Sequence, residues 1–308
     1  MLAGRDLLTL ADLTPAELSA VLAEARSQKA AVKEGRQIPC LLGKSAALVF
    51  LKPSVRTRVS FEVACARLGI TPVVLGREDA FSRNETVADT TRVLERYCDV
   101  IVIRAFEHSM VEEIAEVAQV PVVNALTDDF HPCQGLADLL TVEERFGGLA
   151  GVKLAYVGDG NNVCHSLMLS GALAGMDVRV ACPPGYEPAA TVVEHARGIA
   201  AATGASIEVT ADRSAAVAGA DVIYTDTWTS MGQEEERQAR LAAFEGWTVD
   251  DDLLSLAGPE AVFMHCLPAH RGEEVTDAVM DGPHSVVFDQ AENRLHAQQA
   301  LLSMLLRE

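Results

Sequence analysis

The sequence predicts an α/β protein of two domains, each with a central parallel sheet flanked by helices. Three observations lead there. The chain has 308 residues, more than one ordinary hydrophobic core takes and suited to two. Short apolar runs alternate with amphipathic stretches, the βαβ pattern that gives parallel strands covered on both faces. The series then restarts near Val152, beyond a helix expected to begin after His131-Pro132. These features set domains at residues 1–145 and 146–291, followed by a last helix within 292–308.

Each element has a local reason. Thr14-Pro15-Ala16-Glu17 is a capping box with proline at the first helical position, and Leu18, Val21, Leu22 and Ala25 supply the apolar stripe. A strand over Ala46–Phe50 leads to a helix from Val55 to Leu68, stopped by Gly69. Strand Pro72–Leu75, helix Thr86–Tyr97, strand Val100–Ile103, helix Ser109–Ala118 and strand Val122–Ala125 complete the first series. The second has strand Leu154–Val157, turn Gly158–Asn162, helix Val163–Gly175, strand Val178–Ala181 and helix Pro188–Thr203. Strands Ile207–Thr210, Val222–Thr225, Val262–His265 and Val286–Phe288 follow, then the helix Glu292–Leu306.

Composition narrows the function. Hydrophobic residues are 49% and charged residues 22% of the chain, normal for a globular enzyme. A formal net charge of −19 argues against a nucleic-acid surface, which needs a basic patch. Any anionic ligand must be held by local cations against that field. The seven cysteines include no Cys-x-x-Cys pair, so neither a zinc ribbon nor a thioredoxin-like site is indicated, and buried thiols in a reducing compartment are expected. No apolar run is long enough to span a bilayer and no signal-peptide pattern opens the chain, so a cytoplasmic protein without membrane contact is expected.

The informative polar clusters all follow strand ends, where α/β folds bind ligands. Ser54-Val55-Arg56-Thr57-Arg58 follows the first strand. Ser54 can cap a helix whose first turn carries two arginines and a second hydroxyl. Free N–H groups, the positive end of the helix and planar guanidinium donors favour a phosphate or carboxylate. The alternative is a solvated helix start with salt-bridged arginines. Arg104 follows the third strand, and His131, Cys133 and Gln134 follow the fourth. Asn161 and Asn162, Asp226 with Ser230-Met231-Gly232-Gln233, and His265-Cys266-Leu267-Pro268 end strands of the second series. Singly these read as caps, turns or core thiols. Together, at one end of successive strands, they point to a ligand site. Gly158-Asp159-Gly160 lacks the full dinucleotide fingerprint.

With these residues in view, the chain resembles the ornithine carbamoyltransferases. Ser54–Arg58, His131-Pro132-Cys133-Gln134, Asp226–Gly232 and His265–Pro268 match the family's signatures, and Ala137–Thr141, Gly158–Asn162 and Ala269–Thr276 continue the likeness. It runs over essentially the whole chain in the family's order. The resemblance implies transfer of the carbamoyl group of carbamoyl phosphate to the δ-amine of L-ornithine, giving L-citrulline and phosphate. It also implies no cofactor or metal, a homotrimer or multiple of trimers with sites between subunits, and a last helix that packs back on the first domain.

By the same resemblance, Ser54, Arg56, Thr57 and Arg58 would hold the phosphate, with the backbone of Val55. Arg104, His131 and Gln134 would face the carbamoyl group. Asn162, Asp226, Ser230 and Met231 would bind ornithine. Cys266 and Leu267 would line the reacting amine, and Arg294 would join carbamoyl phosphate from the final helix. Arg104, His131, Asp226 and Cys266 are the expected catalytic groups. Attack by the amine creates an oxyanion that needs fixed donors, and Arg104, His131 and Thr57 can supply them. Two departures stand out. Threonine is usual where this chain has Val55. The family's loop between Leu75 and Glu85 sends a side chain to a neighbouring subunit, and here that register falls on Ala80, with Arg83 as a possible substitute. The competing readings are transfer to another acceptor (putrescine, an acylated ornithine or aspartate), a catalytically silent paralogue, and a nicotinamide-dependent oxidoreductase.

Overall fold

The computed structural model describes residues 2–36, 41–81, 85–229 and 236–307. The chain divides into two compact units, one of Met1–Leu140 with Glu292–Glu308, the other of Thr141–Ala291.

The first unit contains α1 (Pro15–Lys33), β1 (Ser45–Phe50), α2 (Val55–Leu68), β2 (Thr71–Gly76), α3 (Val87–Tyr97), β3 (Val100–Arg104), α4 (His108–Val117), β4 (Val122–Leu126) and, as far as Leu140, α5 (Pro132–Phe146). Its four strands pair in parallel in the order β2-β1-β3-β4. The central strands are apolar throughout because both faces are covered: Ala46–Val49 and Val100–Ile103 are buried. The expected capping box opens α1, where Thr14 accepts from the Glu17 amide and Glu17 reaches back to the Thr14 amide. Gly69 closes α2 at φ +78°, a left-handed conformation in which a side chain would be strained.

The second unit contains β5 (Lys153–Val157), α6 (Asn162–Ala174), β6 (Asp177–Ala181), α7 (Ala190–Thr203), β7 (Ser206–Thr210), α8 (Arg213–Val217), β8 (Val222–Thr225), α9 (Arg237–Ala243), α10 (Asp251–Leu254), β9 (Val262–His265) and α11 (Asp277–Met280). Its strands are parallel in the order β7-β6-β5-β8-β9. The chain ends in α12 (Val287–Leu306). This helix packs on the first unit: Lys29 of α1 donates to Asn293 at 2.7 Å, and Gln299 donates to Gln28 at 2.6 Å.

One strand expected from the sequence is not formed. Val286–Phe288 makes no sheet strand. Ser285 forms a single bridge to Phe263, the Val286 amide donates to the Phe263 carbonyl at 3.0 Å, and α12 has already begun at Val287. Gln290 accounts for this. Its side chain accepts the His265 amide at 2.9 Å, which a further strand would need, and donates to the Tyr224 hydroxyl at 3.0 Å. The short helices α8 to α11 had no sequence signal, since four to seven residues hold too little periodicity.

Ala80 also lies elsewhere than the sequence register suggested. It is 1% exposed, packed in the apolar cluster of Ala47, Val49, Ile101 and Ile103. A glutamine there would put an amide into the core rather than reach outward. Arg83 lies outside the described residues.

Candidate functional site

In the first unit, β1 pairs with β2 on one side and β3 on the other, so the chain reverses strand order between β1 and β3. Residues beyond these two strand ends stand at the switch point, the usual ligand position in such sheets. Register places Phe50 beside Arg104, and the Leu51 amide donates to the Arg104 carbonyl at 2.9 Å. Ser54 caps α2 in extended conformation, its hydroxyl accepting the Thr57 amide at 3.3 Å. Val55 is 79% exposed, so only its backbone is available to the turn. Arg58 is exposed and donates to Glu62 at 2.8 Å, one turn along the helix surface.

Thr57, Gln134 and Arg294 are brought together. Arg294 of α12 is 5% exposed. One terminal nitrogen donates to Gln134 Oε1 at 2.9 Å and the other to Thr57 Oγ1 at 2.8 Å. Gln134 in turn donates to Asp138 at 2.8 Å. Lys52, 4% exposed, donates to Asp128 at 2.7 Å and lies 4.8 Å over the Phe106 ring. It thereby ties the turn before α2 to the loop before His131.

His131 and Arg104 are buried, while Arg56 is exposed. Burial, then the charges of Arg294, Arg104 and Arg56, hold the His131 imidazole well below its ordinary pKa. It is therefore neutral at pH 7. A neutral imidazole among three guanidinium groups, at the start of a capped helix, is suited to an anion that carries a carbonyl.

In the second unit the switch falls between β5 and β8. The turn after β5 is held closely. The Gly160 amide donates to the Tyr186 carbonyl at 2.9 Å, and a Cβ on Gly160 would stand 2.2 Å from the Pro188 nitrogen. Asn161 caps α6 through its side-chain oxygen, at 3.0 Å from the Val163 amide and 3.1 Å from that of Cys164. Its side-chain NH₂ crosses to β8 and donates to Asp226 Oδ2 at 2.8 Å. Asp226 Oδ1 accepts the Thr227 amide at 2.8 Å and the Cys266 thiol at 3.0 Å. Asn162 is the first residue of α6, partly exposed, and its carbonyl accepts the Ser166 hydroxyl at 2.9 Å.

The segment after β9 is braced by His265. Its Nδ1 accepts the Leu267 amide at 2.8 Å, and its Nε2 lies 3.2 Å from Glu274 Oε1. Leu267 sits at φ +61°, in the left-handed region that a branched side chain seldom enters, and this brace holds it there. Cys266 is partly exposed, whereas Cys65, Cys133 and Cys182 are pushed up to about 12 by burial. Ser230 and Met231 lie outside the described residues.

Two groups of candidate metal-ligand atoms occur among the described residues, Asp226 with His265 and Cys266, and His270 with Glu273 and Glu274. In both, the donor atoms already serve hydrogen bonds or ion pairs: those just given in the first, and Arg237–Glu273 and His265–Glu274 in the second.

Asn161, one of the polar residues the sequence places at a strand end, anchors Asp226. The sequence reading missed two contributors. Lys52 follows an apolar run and drew no attention. Arg240 with Asp159 forms a buried ion pair at 2.8 Å between residues 81 apart, a relation no local pattern reveals.

Two parallel sheets, each with polar side chains converging at its switch point, define a two-unit α/β protein built to bind small polar ligands. Comparison gives the family. Residues 5–144 match the aspartate/ornithine carbamoyltransferase carbamoyl-P binding domain, and residues 150–305 match the Asp/Orn binding domain. The chain belongs to the aspartate/ornithine carbamoyltransferase family. It is 57% identical over 296 residues to an ornithine carbamoyltransferase of Acidothermus cellulolyticus, covering 96% of this chain and 94% of that one. It is 53% identical over 306 residues to an anabolic ornithine carbamoyltransferase of Pyrococcus furiosus, covering 99% and 97%. The solved structure of ornithine carbamoyltransferase from Pyrococcus furiosus superposes with a TM-score of 0.97 at 53% identity, covering 99% of this chain and 98% of that one. That from Gloeobacter violaceus gives 0.89 at 48% identity over the full length of both.

Proposed function

We propose that the protein transfers the carbamoyl group of carbamoyl phosphate to the δ-amine of L-ornithine, giving L-citrulline and phosphate. The observation that carries this reading is the neutral His131 set among Arg56, Arg104 and Arg294 beside the capped start of α2. It is supported by close similarity to ornithine carbamoyltransferases over nearly the whole chain.

The reading assigns the phosphate to the start of α2, with Ser54, the Val55 backbone, Arg56, Thr57 and Arg58. Arg104, His131 and Gln134 face the carbamoyl group, and Arg294 fixes Thr57 and Gln134 from behind. The amine lone pair forms a C–N bond to the carbamoyl carbon, and the negative charge moves to the carbonyl oxygen. Arg104 and a ring N–H of neutral His131 stabilise that charge. The carbonyl re-forms as the C–O bond to phosphate breaks, and the proton shed by the attacking nitrogen passes to the departing phosphate, which stays on the cationic turn as hydrogen phosphate. Asp226 and Cys266, joined at 3.0 Å, orient the amine, with Asn162, Ser230, Met231 and Leu267 around the acceptor. Most of the acceleration comes from holding two small substrates in line.

An acceptor panel tests the reading. Citrulline formation with ornithine should exceed carbamoylation of putrescine, N-acetylornithine or aspartate by about 10³-fold in kcat/KM, the discrimination expected when buried polar groups would otherwise be left unpaired. Equal or faster use of another acceptor would refute it.

The assembly we infer is a homotrimer or a multiple of trimers. It is supported by exposed apolar residues one turn apart on two helices, Val55 with Val59 on α2 and Val93 with Tyr97 on α3. Sedimentation equilibrium should return three times the 32.9 kDa of the chain or a multiple of that. A monomer would remove this part of the proposal. A reducing cytoplasm is the inferred compartment, supported by six free cysteines among the described residues.

A further inference from the structure

We infer that Arg240 is a positioning residue for the acceptor: it locks the turn carrying Asn161 to the segment carrying Asp226 and so sets affinity for ornithine. The inference rests on the acceptor reading above.

The geometry is a closed ring. Asn161 donates to Asp226 across the switch point at 2.8 Å. Two residues before Asn161, Asp159 Oδ2 accepts Arg240 Nη1 at 2.8 Å. Two residues after Asp226, the Trp228 carbonyl accepts the same nitrogen at 3.1 Å. One guanidinium thus spans both strand ends from α9, outside the sheet. Its Nε also donates to Glu236 at 3.1 Å, so Arg240 is attached to chain on both sides of residues 230–235. Aromatic rings fix the guanidinium plane. Arg240 lies 5.2 Å over Tyr186, Phe244 meets Tyr186 edge-on at 4.9 Å, and Trp228 stacks on Phe244 at 5.1 Å. Tyr186 also accepts the Gly160 amide, which joins the same turn to the cluster.

Stability alone is a poor reason for this arrangement. Arg240 is 9% and Asp159 8% exposed. Burial pushes the Asp159 carboxyl up to about 6 even against the attraction of Arg240, so ionising it here is costly. A buried ion pair of this kind often stabilises no more than an apolar pair of equal volume, whereas its directional hydrogen bonds specify one geometry. Here they specify the relation of Asn161 to Asp226.

Three variants, compared with the unaltered protein, test the inference through KM for ornithine, KM for carbamoyl phosphate, kcat, and the dissociation constant of L-norvaline, which has ornithine's α-amino-acid end without the δ-amine. Arg240→Ala should raise KM for ornithine and the norvaline constant about 10- to 100-fold, the effect of losing charge-assisted hydrogen bonds. KM for carbamoyl phosphate should stay within about threefold, and kcat at saturating ornithine should fall less than fivefold. Asp159→Asn keeps shape and should raise the ornithine and norvaline values about 3- to 10-fold. The double replacement of Arg240→Met with Asp159→Leu should restore thermal stability but not ornithine affinity. Wild-type ornithine and norvaline values in Asp159→Asn would overturn the inference, even if the other variants fail to fold. So would wild-type affinity in the folded double variant, or equal increases for both substrates. No citrulline from the unaltered protein would instead overturn the reaction itself.

Discussion

Replacing Arg294 with alanine should cut kcat/KM for carbamoyl phosphate by about 10²- to 10⁴-fold, the expected loss of two charge-assisted contacts at roughly 1.5–3 kcal/mol each. Arg294 donates to Thr57 at 2.8 Å and to Gln134 at 2.9 Å. Thr57 is fully buried in the first turn of α2, and Gln134 lies in the first turn of α5. The final helix therefore sets the positions of two side chains that begin two other helices. Removing the guanidinium leaves Thr57 and Gln134 without that donor and takes away the charge first among those acting on His131. Stability should fall as well, by about 2–4 kcal/mol. Arg294→Lys keeps the charge but not the fork that reaches both acceptors, so stability should recover more than activity. Steady-state kinetics on both substrates, with thermal unfolding of each variant, provides the check. An Arg294→Ala enzyme with wild-type carbamoyl phosphate kinetics would show that the triad of Thr57, Gln134 and Arg294 is only packing.

Asp226→Asn should act on the other substrate. The carboxylate accepts from Asn161, from the Thr227 amide and from the Cys266 thiol. An amide of the same shape has only one acceptor oxygen and turns an NH₂ toward groups that are themselves donors. At least one of those contacts becomes a repulsion, and the charge that would face the ornithine amine is lost. The expected loss in kcat/KM for ornithine is about 10²- to 10³-fold, with carbamoyl phosphate affinity held within about threefold. A comparable loss for both substrates would mean that Asp226 supports the second unit as a whole rather than the acceptor.

The two predictions separate because the two sites are built separately, each at the switch point of its own sheet. This much was legible in the sequence. Apolar runs such as Ala46–Val49 and Val100–Ile103 mark strands buried on both faces, and their spacing from helical stretches marks parallel pairing. Polar clusters stand out because each interrupts the chain just past such a run. Ser54 shows how far local chemistry carries: a serine before a first turn is a cap, and it caps.

The long-range relations were not legible. Arg294 reaches residues 160 and 237 positions away, and Arg240 reaches Asp159 from 81. Such contacts depend on how strands are ordered, and strand order leaves no local trace. The Val286–Phe288 misreading has the same origin. Three β-prone residues read as a strand until a buried glutamine four residues on claims the amide that strand would have used. Ala80 differs in kind. Its register falls where the family's loop sends a side chain to a neighbouring subunit, but its own side chain is buried in the core of the first unit.

Isotope transfer tests the central claim most directly. The protein would be given carbamoyl phosphate labelled with ¹³C and L-ornithine labelled with ¹⁵N at the δ position, and the reaction followed by carbon and phosphorus NMR. The account predicts one ureido carbon, split by one-bond coupling to ¹⁵N, for each inorganic phosphate released. Phosphate release with the ¹³C appearing only as bicarbonate, or a carbamoyl carbon bonded to the unlabelled α-nitrogen, would contradict it.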